Sequence, residues 1–403
     1  MSKQSISDFP VDRYQGKRVF VRVDFNVPIQ NGKIREDYRL RRTIPTIEYL
    51  SQRGAKVVLA SHLGKPKGRP IPELSLKPVA ERLTQILQVP SVRFIEQVVG
   101  PPVENFVNDL NPGEVLLLEN LRFDSGEEAN DSEFCQRLRA LGDLYVNDAF
   151  GTMHRAHAST YGVAQLYPVR LAGFLVSKEI QALARVRDNP SRPLKVVVGG
   201  IKIKDKLSAL KTLIPKADHV LLGGGIAYTF LTAQGLSMGD SPVEPEFLPW
   251  AKEMLALHGE KIYLPKDHVI TRELQAGAGF QIVHGAIPDG FRGVDIGRET
   301  IQPYTRRLIE GGGTIFWNGP VGAWEIEEFA EGTVDIARAI ALAHWRGTVA
   351  VIGGGDTVAA LHRAEILETE VTHVSTGGGA ALRFIGGEDL PGLSVLTDLT
   401  REG

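Results

Sequence analysis

Short apolar runs that end in polar or glycine-rich loops recur along this 403-residue chain, and several lead into segments of helical periodicity. Residues 17–28, KRVFVRVDFNVP, alternate apolar and polar positions before ending in Asp24, Asn26 and Pro28. That pattern predicts a strand with polar groups at its carboxyl end. Further strands are predicted at 56–60, at 115–118 and in LYVNDAF, with loops carrying His62, Lys65, Asn120, Arg122 and HRAH. Helices are predicted over 39–53, interrupted or begun near Pro45, and over 76–87 and 132–141. After Pro193 the same grammar returns, with strands at 195–198, 219–222, 314–317, 349–352 and 373–375 and helices at 329–343 and 357–367.

Strand, loop and helix in repetition predict an α/β fold with mostly parallel sheets. The length exceeds what one hydrophobic core fills, so the expectation is two Rossmann-like, three-layer α/β/α domains. Residues 177–193, a helix and a proline-bearing segment without a strand, are the expected connector or hinge helix between domains at 1–176 and 194–387.

Composition narrows the class. The chain is 43% hydrophobic and 23% charged, as a soluble globular protein is. Cys135 stands alone, which excludes an intramolecular disulfide and a cysteine-rich metal site and suits a reducing compartment. The first twenty residues lack the apolar core of a signal peptide, and no run is long enough to span a membrane. The expectation is a cytoplasmic protein, or a mature organellar form. Charge is unevenly placed: residues 1–70 hold 15 Lys and Arg against 6 Asp and Glu, within a chain of net charge −2. These cations are dispersed among strand and helix segments without interleaved aromatics, so a small multiply charged anion is expected rather than nucleic acid.

The segment 195–207, KVVVGGIKIKDKL, concentrates the candidate chemistry of the second half. If it stays extended after the Gly199-Gly200 turn, alternation puts Lys202, Lys204 and Lys206 on one side, at the carboxyl end of a strand where α/β proteins bind ligands. The plain reading is a turn followed by a solvated charge run. Glycine triplets at 223–225, 311–313, 353–355 and 377–379 add weight, because three follow apolar strands and exposed amides there make anion sites. Together they point to a nucleotide phosphate chain. Neither GxxxxGK[ST] nor a complete GxGxxG after a strand occurs, which opposes a usual P-loop nucleotidase and a nicotinamide dehydrogenase. His154 and His157, in HRAH, have no third histidine or cysteine nearby, so anion binding or local hydrogen bonding is the expected role. Asp356, in GDT, can hold magnesium against phosphates or serve simply as an early helix residue.

RVDFNVP, SHLGKPKG, LLLENLRF, VNDAFGTMHRAHAS, GGIKIKDK, GGGIAYTF, WNGPVGAWE, GGGDT and STGGGA occur in that order across essentially the whole chain. In this series the chain resembles the phosphoglycerate kinase family. The resemblance implies reversible, magnesium-dependent phosphoryl transfer, 1,3-bisphosphoglycerate + ADP = 3-phosphoglycerate + ATP, by a hinge-bending monomer. It implies a triose-phosphate-binding N-terminal domain with the tail, 388–403, folded back on it, and a nucleotide-binding C-terminal domain. The triose site it implies is Asp24, Asn26, Arg39, His62, Lys65, Arg122 and Arg155. The nucleotide site is Gly200, Lys202, Lys206, Gly224, Asn318, Glu325, Gly355, Asp356 and Thr357, with Glu325 on ribose, Lys206 on phosphate and Asp356 on Mg2+. Arg39, Lys202 and the amides of Gly378 and Gly379 would serve the phosphoryl group in flight.

The sequence departs from the family's usual pattern at several places. Lys65 stands where arginine is usual, which keeps charge but loses a bidentate contact. Ile201 replaces an alanine, and Lys204 a small or neutral residue. Ala381 and Arg383 replace serine and glutamate, and PKD at 265–267 replaces PVD. None removes a group on which the reaction depends. The rival of another class is a noncatalytic two-domain protein closing on an anionic metabolite. It gives no reason for Lys202, Lys206 and Asp356 together.

Overall fold

The computed structural model describes residues 3–399. In the first half, β1 (Arg18–Val23) precedes a hairpin of β2 (Ile29–Gln30) and β3 (Lys33–Ile34). Five further strands are β4 (Lys56–Ala60), β5 (Val92–Ile95), β6 (Val115–Leu118), β7 (Leu144–Asp148) and β8 (Arg170–Ala172). With β1 they form one parallel sheet in the order β5-β6-β4-β1-β7-β8. β1, β4, β6 and β7 are the predicted strands; β5 is as long as β6 but only half-buried, and the two- and three-residue strands of the hairpin and β8 are too short to announce themselves by pattern. The alternation of β1 suggests one wet face, yet Arg22 is as buried as its valine neighbours. A parallel sheet is covered on both faces, so a polar residue in mid-strand must find its partners inside.

The second half repeats the plan. β9 (Leu194–Val198), β10 (His219–Leu222), β11 (Ile262–Tyr263), β15 (Thr314–Asn318), β16 (Val349–Gly353) and β17 (His373–Ser375) form a parallel sheet ordered β11-β10-β9-β15-β16-β17. Between them β12 (Asp267–Thr271), β13 (Phe280–His284) and β14 (Arg292–Ile296) make an antiparallel sheet with β12 in the middle. The chain starts the parallel sheet at β9, builds outward through β10 and β11, then returns to the other side of β9 as β15. The gap between β9 and β15 is therefore the topological switch point, where open α/β sheets bind ligands. Register sharpens this, because Leu222, Val198, Asn318, Gly353 and Ser375 lie in one row across the sheet. The strands end flush, and the loops at 199–200, 223–225, 319, 354–355 and 377–379 leave side by side. The triplet 311–313 is different: it joins the end of the Arg298–Ile309 helix to the start of β15, at the opposite edge.

Two units divide the chain, one of residues 3–180 with 389–399 and one of Gln181–Glu388. The linking helix, Phe174–Asp188, begins three residues before the expected connector and runs from the first unit into the second. Asp148 Oδ1, at the end of β7, accepts from the amides of Leu175 and Val176 at 2.9 and 3.2 Å and caps its first turn. In the first unit the tail is tied down by Lys3 Nζ, which donates to Leu396 O at 3.0 Å and to Asp398 at 2.7 Å. Residues 400–403 of the expected tail lie outside the described residues. Pro45 sits inside a continuous helix, Tyr38–Gln52, instead of breaking or beginning it. Among the described residues no helix is long and apolar enough to cross a membrane.

Candidate functional site

At the carboxyl ends of β1, β4 and β6 the first unit gathers cations around one histidine. His62 is buried, and Arg22 Nη2 lies 3.1 Å from its Nδ1. A guanidinium can only donate, so Nδ1 is the acceptor and the ring's proton sits on Nε2. Arg22 is itself fixed by Nε donating to Ser159 Oγ at 2.7 Å, and Ser159 Oγ donates to the buried Glu127 at 2.6 Å. His62 is held neutral: burial first, then the charges of Arg22, Arg122, Arg39 and Arg155, push its pKa well below the usual imidazole range. The same four arginines mark a focus of positive potential. His157 feels it too, pushed down to about 4 by burial and by Arg122, Arg22 and Arg155.

Of the expected triose-side residues, Asp24, Asn26, Arg39, His62, Arg122 and Arg155 are tied to this neighbourhood by contacts or charge. Arg39, in the first turn of its helix, pairs with Asp24 at 2.5 Å, and Asp24 Oδ1 lies 3.9 Å from His62 Nδ1. Asn26 Oδ1 accepts from Gly64 N at 2.9 Å, tying the loop after β1 to the loop after β4. Arg122 is buried, donating to Gly64 O at 2.7 Å and pairing with Glu128 at 3.2 Å. Arg155 is exposed, with Nε donating to His154 Nε2 at 3.1 Å, and Lys65 is exposed on its loop. That contact makes His154 a hydrogen-bond acceptor, and among the described residues no group of three or more His, Cys, Asp or Glu could hold a metal ion.

In the second unit the segment after β9 does not stay extended. It turns at Gly200 and winds into a 3-10 helix at Lys204–Lys206, so the three lysines diverge. Lys202 and Lys204 are exposed, while Lys206 folds back into the switch point and donates to Gly199 O at 2.6 Å and Asn318 O at 2.9 Å. Burial lowers its pKa to about 8 against the opposing charges of Asp356 and Asp205. Glycine makes this seat possible: a Cβ on Gly319, whose φ is +93°, would stand 2.2 Å from the Lys206 nitrogen. Gly224, at φ +59°, lets the start of the next helix approach the Gly200 carbonyl, which a Cβ would meet at 2.8 Å.

Gly200, Lys202, Lys206, Gly224, Glu325 and Asp356 line one cleft of about 850 Å³. Its remaining walls are largely apolar, including Tyr228, Pro242, Leu274, Val294 and Ile326. Asn318 and Thr357 lie beneath it: Asn318 Nδ2 and Thr357 Oγ1 both donate to Gly353 O at 2.7 Å, and Thr357 Oγ1 also accepts from Gly319 N. Gly355 and Asp356 open the exposed first turn of the Gly355–Arg363 helix. Gly378 and Gly379 form the turn between β17 and the Gly379–Ile385 helix, with no atom near where either Cβ would stand.

A family model described as phosphoglycerate kinase matches residues 6–388. The chain belongs to the phosphoglycerate kinase family. The phosphoglycerate kinase of Chloroflexus aggregans is 49% identical over 404 residues, covering 99% of this chain and 100% of the relative. That of Synechococcus elongatus is 46% identical over 403 residues, with 99% and 100% covered. Among solved structures, phosphoglycerate kinase from Coxiella burnetii superposes with a TM-score of 0.84 at 38% identity, over 98% of this chain and 99% of that one. The enzyme from Pyrococcus horikoshii gives 0.83 at 34% identity, over 98% of each.

For a phosphoglycerate kinase, sequence reasoning missed Arg22 and the Ser159–Glu127 pair behind it, and the apolar wall of the cleft. A charged residue inside a run of buried valines is the signal for the first. The second comes from segments distant in sequence and carries none. Of the departures from the family pattern, Lys65 and Lys204 are exposed, and Ile201 lines the cleft with 63% of its surface still open.

Proposed function

We propose that this chain catalyses reversible phosphoryl transfer between 1,3-bisphosphoglycerate and ADP, giving 3-phosphoglycerate and ATP. The observation that carries the reading is an arginine cluster around His62 at the carboxyl end of one parallel sheet and the Lys206 cleft at the carboxyl end of the other, in a chain that matches the family over residues 6–388. Asp24, Asn26, Arg39, His62, Lys65, Arg122 and Arg155 would hold the triose. The neutral His62 offers an Nε2–H donor, and the arginines offer paired N–H groups to phosphate and carboxylate oxygens. Gly200, Lys202, Lys206, Gly224, Asn318, Glu325, Gly355, Asp356 and Thr357 would form the nucleotide side, with Glu325 on the ribose and the third N–H of Lys206 on a phosphate.

Magnesium takes one or two protein oxygens and completes its shell from water and phosphates, and four exposed carboxylates line the cleft: Asp205, Asp240, Glu325 and Asp356. Asp356, which stands in the first turn of the helix after β16 and lies close enough to Lys206 to oppose loss of its proton, is the one assigned to the metal. Bound there with nucleotide, Mg2+ would supply positive charge to the phosphate oxygens.

Toward ATP the leaving group is a carboxylate, and in reverse the attacking group is the same carboxylate. It is ionised at neutral pH because carboxyl pKa values lie near about 4. No general base is required. The chain's contribution is alignment and compensation of charge on the transferring oxygens, assigned to Arg39, Lys202 and the amides of Gly378 and Gly379. Triose and nucleotide would occupy different units, so transfer requires hinge closure that brings the substrates together. Closure must also exclude water, which would hydrolyse the acyl phosphate. Monomeric action in the cytoplasm follows from the same reading.

A coupled assay for ATP formation from 1,3-bisphosphoglycerate and MgADP tests this. ATP should appear in proportion to enzyme and only with both substrates. Tight binding of 3-phosphoglycerate with no ATP formed would favour the noncatalytic binding protein.

A further inference from the structure

The linking helix ends in the second unit at Arg187 and Asp188. The Arg187 side chain is only 22% exposed, and its guanidinium is engaged on three sides. Nε and Nη2 donate to the two Asp188 oxygens at 2.7 and 2.8 Å, which holds that carboxyl below its usual range. Nη1 donates to the Phe384 carbonyl at 2.8 Å, and the guanidinium carbon stands 4.4 Å from the centre of the Phe384 ring. Phe384 lies in the last turn of the Gly379–Ile385 helix, so Arg187 grips the far end of the element that begins at the Gly378–Gly379 turn.

A second helix meets the same joint. The Arg187 carbonyl accepts from Lys216 Nζ at 2.9 Å, and Lys216 ends the Leu207–Lys216 helix, which starts directly after Lys206. The two helices are locked to each other as well. Thr212 Oγ1 donates to Gly386 O at 3.2 Å, and Gly386 packs so closely that a Cβ would meet Ser208 Oγ at 2.4 Å. Each helix thus has one end at the joint and the other at a loop assigned to phosphoryl transfer.

We propose that Arg187 is a positioning residue for phosphoryl transfer, holding the Gly378–Gly379 turn in register with the Lys202–Lys206 loop. The inference rests on the function proposed above. A helix of seven residues is about 10 Å long, so a tilt of about 5° at one end moves the other by about 1 Å. Misplacement of about 1 Å at a reacting centre can cost about 100-fold in rate, so a partial loosening should be visible in kcat. A merely structural arginine at a helix end would change melting temperature and leave kcat alone.

Arg187→Met removes every donor and keeps an apolar stem against the Phe384 ring. Its kcat for ATP formation should fall by about tenfold, with KM for MgADP and for 1,3-bisphosphoglycerate within about twofold of wild type. Arg187→Lys, which can still donate to the Phe384 carbonyl, should recover most of the loss. If Arg187→Met does not fold, Phe384→Leu takes its place, because it removes the ring face and leaves the carbonyl; its kcat should fall in the same direction. A folded Arg187→Met with wild-type kcat overturns the inference. So does a kcat loss matched by equal rises in KM, which would mean general loosening of the unit. A wild-type protein that forms no ATP would instead sink the proposed function, so the two failures are told apart.

Discussion

Lys206 keeps its ammonium on two carbonyl oxygens at the switch point, where burial lowers its pKa to about 8. In an unfolded chain the group titrates near 10.5. Between those values the unfolded state binds more protons, so this lysine makes stability rise with pH across that window. A polyphosphate bound beside it would favour the charged form. ADP binding at pH 8.5 should therefore take up protons, seen as a binding enthalpy that depends on the buffer's ionisation enthalpy, and Lys206→Met should remove that dependence. Equal enthalpies in two buffers for the wild type would contradict the placement of Lys206 on phosphate. Asp356→Asn makes a complementary separation: it should weaken MgADP binding while calorimetric titration with 3-phosphoglycerate stays close to wild type. Equal loss at both sites would remove Asp356 as the metal ligand. At this scale the sequence was readable where a polar residue ends an apolar run, as at Asp24, His62 and Asp356. It was unreadable where a side chain turns inward to serve another, as with Arg22 behind His62 or Ser159 behind Arg22. Those roles depend on contacts across tens of residues, and no local pattern encodes them.

At the scale of elements, the long apolar strands were legible because a parallel sheet buries both faces and leaves continuous hydrophobic runs, as in β9 and β15. The two-residue β11 and the exposed β13 were not, since neither carries a buried run. The winding of 204–206 into a 3-10 helix also escaped, because a run of alternating lysines fits an extended segment equally well until tertiary contacts decide. The linking helix carries its own test. Asp148 caps its first turn, yet burial pushes that carboxyl up to about 7. Its ordinary value is 3.8, so between about 4 and 7 the folded state binds more protons, and this group's contribution to stability falls as pH rises. Asp148→Asn keeps an oxygen acceptor for Leu175 and Val176 but cannot ionise. Relative to wild type, its melting temperature should rise between pH 5 and pH 8. A constant offset across that range would mean that Asp148 does not titrate there.

For the whole molecule, the defining feature is that cations are divided between two units, with the His62 cluster on one and the Lys206 cleft on the other. Neither half-site alone can align a phosphoryl donor with its acceptor. If both act on one transferring group, removing a cation from each should not double the damage in free energy, because the first loss already spoils the state in which the second acts. The direct measurement is the steady-state kcat of Arg39→Ala, Lys202→Ala and the double variant in the ATP-forming direction. Arg39→Ala should lose at least about 100-fold in kcat, the scale of removing one preorganised transition-state donor, with MgADP binding little changed. Lys202→Ala should also lose kcat, and the double variant should lose less than the product of the two. An Arg39→Ala enzyme with near-normal kcat would contradict the account, leaving Arg39 a helix arginine paired with Asp24 and no part of the reacting centre.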